Sequence, residues 1–107
     1  MMINILLVED DEKLNKLFST ILTRRGFNVY ESFNGLDAFD VLENTHIDLI
    51  ISDIMMPYMD GYDFVDSVRK INEEIPILMI TAKDDFNSKQ KGFLIGVDDY
   101  MVKPIDV

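Results

Sequence analysis

In the stretch Ile50-Ile51-Ser52-Asp53-Ile54-Met55-Met56-Pro57 an apolar run stops abruptly on a carboxylate. Ile47, Leu49, Ile50 and Ile51 are rich in β-branched side chains and barely alternate with polar ones, the pattern of a strand buried on both faces. Such a strand belongs to a parallel sheet covered by helices, and its last residue, Asp53, emerges at the sheet edge. Pro57 and Gly61 follow at a spacing that predicts a tight, ordered loop before the next helix. Asp53 is therefore expected to be a carboxylate held by rigid backbone.

Working outward, the same grammar repeats. Residues 3–8 form an apolar strand broken only by Asn4, and Glu9-Asp10-Asp11-Glu12 end it. Leu14, Leu17, Phe18, Ile21 and Leu22 give an amphipathic stripe, predicting a helix over about 11–25 with Arg24 and Arg25 at its C-terminal dipole and Gly26 at its end. Residues 27–32 read as a second strand, Asn34-Gly35 as a turn, and 36–43 as a second helix with Ala38, Phe39 and Leu42 inward. Beyond the Pro57 loop, Phe64, Val65, Val68 and Ile71 keep helical spacing, Ile77 to Ile80 form a fourth strand ending at Thr81, and 84–95 make a weaker helix interrupted by Gly92. A short strand at 99–102 leads to Lys103-Pro104.

Strands and helices thus alternate as βαβαβαβαβ, which predicts one α/β domain over 1–107: a doubly wound, five-stranded parallel sheet with right-handed crossovers. In such sheets ligands bind outside the carboxyl ends of the strands, near the point where strand order reverses. Glu9 and Asp10, Asp53, Thr81 and Lys103 end four different strands, so four segments converge on one rim.

Composition narrows the function classes. The 107 residues carry 20 acidic against 10 basic side chains, a net charge of −10, which disfavours a direct grip on nucleic-acid phosphates. There is no cysteine, so neither disulfides nor thiolate metal sites are available. The apolar N-terminus lacks a basic region and runs straight into four acids, unlike a signal peptide or membrane span. A cytoplasmic protein without membrane contact is expected.

Carboxylates crowded on one rim repel by about 4 kcal/mol for a pair at roughly 4 Å and an effective dielectric of about 20. An oxygen-seeking divalent cation, Mg²⁺ or Mn²⁺, would offset this better than zinc, for which the chain offers one histidine and no thiol. A carboxylate beside such an ion, an ammonium and a hydroxyl is also what phosphoryl transfer to an aspartate requires. In that assignment Asp53 is the nucleophile, Glu9 and Asp10 hold the metal, Lys103 pairs with the phosphoryl group and Thr81 hydrogen-bonds to it.

Leu6-Leu7-Val8-Glu9-Asp10-Asp11, Asp53-Ile54-Met55-Met56-Pro57 with Gly61, Thr81-Ala82, Gly96-Val97-Asp98-Asp99-Tyr100 and Lys103-Pro104, in this order, resemble the receiver domain of two-component response regulators. The resemblance covers nearly the whole chain and is greatest to receivers attached to winged-helix (OmpR/PhoB-type) transcription factors. It implies a flavodoxin-like strand order 2-1-3-4-5 and a phosphoryl group accepted by Asp53 from a sensor histidine kinase. It further implies a Met55 backbone carbonyl on Mg²⁺ and a switch pair, Thr81 and Tyr100, that repositions the surface of helix four and strand five. Met55 and Lys83 would tune phosphoryl lifetime, and Lys103-Pro104 would be a cis peptide. It also implies a homodimer surface on the helix-four and strand-five face, with DNA reached only through an effector domain.

Two departures stand against the pattern. Asn87, Ser88 and Lys91 replace residues that such receivers use for dimerisation, although Lys89 keeps its charge, and the sequence stops at Val107 before the expected fifth helix, which would leave one face of the sheet uncovered. Two other functions use similar residues. A phosphohydrolase working through an aspartyl-phosphate usually has a second acid two residues after the nucleophile, where this chain has Met55. A receiver-like binding module would work without phosphorylation. Individually, Glu9 to Glu12 also fit an acidic helix start, Tyr100 a half-buried aromatic, His46 ordinary surface, and Met55, Met56, Met59, Met79 and Met101 packing.

Overall fold

A computed structural model describes residues 2–54, 59–81 and 96–102. Along the chain these are β1 (Asn4–Val8), α1 (Glu12–Arg24), β2 (Asn28–Ser32), α2 (Gly35–Asn44), β3 (Leu49–Asp53), α3 (Gly61–Ile71), β4 (Ile77–Thr81) and β5 (Asp99–Val102). All neighbouring strands pair in parallel in the order β2-β1-β3-β4-β5, the doubly wound arrangement expected from the sequence. β3 is central, with Val8 paired to Ser52 and Asp53 to Ile80, so the ends of β1, β3 and β4 lie side by side. The predicted fourth helix and the residues after β5 lie outside the described residues.

The core follows from the double cover. One face packs Leu6, Val8, Ile50, Ile77 and Met79 against Ala38 of α2 and Phe64, Val65 and Val68 of α3, with Phe39 meeting Phe64 edge-on at 5.3 Å between ring centroids. The other packs Ile5, Leu7, Ile51 and Ile80 against Phe18, with Leu14 and Leu22 at its margin. Between α1 and β4–β5 this second face keeps an apolar cavity of about 140 Å³, bordered by Phe18, Ile21, Leu22, Leu78, Ile80 and Met101.

Three helix details depart from the sequence-based expectation. Leu17, placed on the inward stripe of α1, is 53% exposed, and Asn15 and Ser19 are buried with Phe18 instead, so the helix is rolled toward two polar residues. Ile71, at the last turn of α3, is also exposed rather than inward. Asn34-Gly35 is a helix start instead of a free turn: Asn34 is extended at φ −160° and its side chain caps α2 by accepting the Asp37 N–H at 2.9 Å, with Gly35 the first helical residue. A parallel crossover needs a helix at this point, and the cap lets α2 begin directly after β2.

Candidate functional site

The end of β1 is fixed by hydrogen bonds as well as by apolar packing. The Glu9 N–H donates to the Ser32 carbonyl at 3.1 Å, Ser32 Oγ donates to the Leu7 carbonyl at 3.0 Å, and Asp11 N–H donates to Glu9 Oε2 at 3.1 Å. Asp11 is the N-cap of α1, its Oδ1 accepting the N–H groups of Lys13 and Leu14 at 3.0 and 3.1 Å. The four consecutive acids therefore divide: Asp11 and Glu12 serve the helix start, while Glu9, fully buried, and Asp10, exposed, turn to the rim.

Asp53 ends β3 with only 5% of its surface exposed. The backbone around it is gripped from two sides, because Ile54 N–H donates to the Ile80 carbonyl at 3.1 Å and Gly61 N–H to the Ile54 carbonyl at 2.7 Å. A Cβ on Gly61 would lie 2.6 Å from the Asp53 carbonyl oxygen and 2.8 Å from Ile54 Cα, both backbone atoms that cannot give way. Only glycine admits α3 this close to the acid. Asp60 caps that helix by accepting Asp63 N–H at 2.9 Å, so the chain from Asp53 to α3 returns on itself within eight residues of sequence.

Glu9, Asp10 and Asp53 come together as expected: each offers a carboxylate oxygen within 4.8 Å of the others. Opposite corners of a Mg²⁺ octahedron with bonds of about 2.1 Å stand roughly 4 Å apart, so small side-chain movements would let these three hard oxygen donors share one ion, and the donor set suits Mg²⁺ or Mn²⁺ over zinc. Thr81 ends β4 one residue past the Asp53 partner Ile80, and Tyr100 pairs with Met79 on β5, where it is half-buried against the core. Met55, Lys83, Lys103 and Pro104 lie outside the described residues, as do the helix-four positions 87–91.

At the opposite end of the sheet the structure reveals polar residues whose roles sequence reasoning did not assign. Arg69, at the end of α3, donates through Nε and Nη2 to the Gly96 carbonyl at 2.9 and 2.7 Å, through Nη1 to the Ile75 carbonyl at 2.6 Å, and through Nη2 to Asp98 Oδ2 at 2.9 Å. Asp98 Oδ2 also accepts Ile77 N–H at 2.8 Å. Gly96 holds φ +101°, with Arg69 Nε 2.9 Å from where a Cβ would sit. Under β1 and β3, Asp48 accepts Asn4 N–H at 2.8 Å and meets His46 Nε2 at 2.8 Å; the Asn4 hydrogen bond first, then His46, hold its carboxyl below the usual aspartate range despite burial acting the other way. A basic residue in the last turn of a helix was the one available sign of Arg69, and it reads equally well as a dipole partner.

With the geometry in place, comparison with known proteins is decisive. Residues 5–107 match the family described as the response regulator receiver domain. The chain belongs to that family. Among curated relatives, the receiver is 42% identical over 105 residues to the probable transcriptional regulator ycf29 of Porphyra purpurea, covering 96% of this chain and 50% of that protein. It is 40% identical over 100 residues to the transcriptional regulatory protein CusR of Escherichia coli, covering 94% and 44%. The chain thus spans about half the length of the curated relatives it matches. Among solved structures it superposes on the chemotaxis response regulator CheY4 of Vibrio cholerae with a TM-score of 0.93 at 32% identity, covering 99% of this chain and 90% of that one. Receiver domains of regulators are signalling domains rather than metabolic enzymes, and no helix among the described residues is long and apolar enough to cross a membrane.

Proposed function

We propose that this receiver takes a phosphoryl group onto Asp53 from a sensor histidine kinase in a Mg²⁺-dependent reaction and relays the change to an output, DNA-binding transcription control by an effector domain, in the cytoplasm. The observation that carries this is the meeting of Glu9, Asp10 and Asp53 at the ends of adjacent strands, with Asp53 nearly buried in the centre. Glu9, Asp10, Asp53 and the Met55 carbonyl would hold the ion. Bound there, Mg²⁺ supplies positive charge against the phosphoryl oxygens and lets the carboxylates stand together.

An Asp53 carboxylate oxygen attacks phosphorus in line. The O–P bond forms as the bond from phosphorus to the donor atom breaks, and the leaving group keeps that electron pair. Lys103 pairs with the transferred group as a point charge and Thr81 donates its hydroxyl to it, while Tyr100 turns inward to reposition the helix-four and strand-five face. That face is the candidate homodimer surface.

Incubation with acetyl phosphate and Mg²⁺ followed by intact-mass measurement tests the proposal. One phosphoryl adduct is expected on the wild type, and none on Asp53→Asn or after chelation. An unmodified wild type, or an equal adduct on Asp53→Asn, overturns it.

A further inference from the structure

We propose that Asn15 is a positioning residue for the metal-binding pair Glu9 and Asp10, an inference that rests on the Mg²⁺-dependent reading above. Asn15 lies in the second turn of α1 with no exposed surface, on the face where Leu14, Phe18 and Leu22 meet the sheet. An apolar residue would fit that stripe more simply. Its Nδ2 divides two hydrogen bonds, 3.0 Å to the Glu9 carbonyl and 3.0 Å to the Ser32 carbonyl, and its backbone N–H donates to the Asp11 carbonyl at 2.8 Å.

Among the described residues Asn15 Oδ1 is buried without a hydrogen-bond partner, so half of this amide is an uncompensated desolvation. What remains to justify the residue is the grip of its NH₂ group. That grip joins α1 to the last peptides of β1 and β2 and sets where the Glu9 main chain turns into Asp10. With Asp11 capping the same helix, the acidic turn is tied to α1 on both sides and cannot drift from Asp53 without breaking one tie. Groups that orient metal ligands in this way typically change metal affinity by about 10- to 100-fold when removed.

The experiment compares Asn15→Leu, which keeps the volume and the apolar stripe, with Ser19→Ala, a second buried polar residue one turn along the same face. Mg²⁺ dissociation constants come from calorimetry, with thermal melting run in parallel. Asn15→Leu is expected to weaken Mg²⁺ binding about tenfold while Ser19→Ala leaves it unchanged. Binding by Asn15→Leu within twofold of the wild type, or equal weakening by Ser19→Ala, overturns the inference while leaving the phosphoacceptor assignment intact.

Should Asn15→Leu not fold, the wild type decides by ¹⁵N NMR. The Asn15 NH₂ protons are expected to exchange more slowly than those of exposed asparagines and to shift along the Mg²⁺ titration. Exchange at the solvent rate, or no shift, overturns the inference. A wild type that binds no Mg²⁺ overturns both this inference and the reading beneath it.

Discussion

The two ends of the sheet handle carboxylates in opposite ways. At the amino ends of the strands, Asp98 sits between the Arg69 guanidinium and the Ile77 N–H, and Asp48 between the Asn4 N–H and His46. At the carboxyl ends, Glu9, Asp10 and Asp53 face one another within 4.8 Å. The first arrangement lowers the free energy of the fold; the second sets like charges against one another, a repulsion that a divalent cation would offset. This like-charged cluster separates the chemical end of the domain from its foundation.

Removing the Arg69 side chain should produce the largest stability change. Arg69→Ala leaves the Ile75 and Gly96 carbonyls and Asp98 without this donor, and unfolding in urea is expected to show a loss of about 2–4 kcal/mol. Its Mg²⁺ affinity should stay at the wild-type value. A large fall in that affinity would break the division between the two ends.

Neutralising the rim has a smaller effect of the opposite sign. Asp53→Asn in metal-free buffer is expected to be more stable than the wild type by about 1–2 kcal/mol, below the full Coulomb figure because Asp10 is open to solvent and screened. Added Mg²⁺ should raise the melting temperature of the wild type and much less that of the variant. Destabilisation by Asp53→Asn without metal would show that repulsion does not govern this end.

Acid titration of Asp48 gives the smallest effect and sharpens the view of the base. Its folded carboxyl ionises below the ordinary aspartate value of about 3.9, so its contribution is fully present above that value and disappears as pH falls through the lower, folded one. The difference in melting temperature between wild type and Asp48→Asn should be flat from neutral pH down to about 4 and shrink below it. A difference that stays flat below about 4 as well would overturn this reading.

How far the sequence revealed this depends on which force sets each feature. β3 and β4 were legible because a strand buried on both faces must be apolar throughout, and β5 fell at 99–102 as read. Ile47 read as strand but lies just before β3, buried all the same, since hydrophobicity reports burial rather than pairing. Asn34-Gly35 misled because the pair serves turns and caps alike. The convergence of Glu9, Asp10 and Asp53 followed from topology, as all parallel strands end on one side. Asn15 and Arg69 stayed hidden because most of their partners are main-chain carbonyls, which any residue provides and no sequence pattern marks.

The closeness of Gly61 to Asp53 also constrains the length of α3. One end of this helix is pressed against the Asp53 main chain, and the other end delivers Arg69 to the carbonyl that precedes β5. Each residue added to or removed from a helix turns everything beyond it by about 100° and moves it by about 1.5 Å. Insertion of a single alanine between Phe64 and Arg69 would leave the acid where it is and swing the guanidinium away from Gly96. The helix is therefore a spacer of fixed gauge, and sequence drift along its exposed face is permitted only where the residue count is kept.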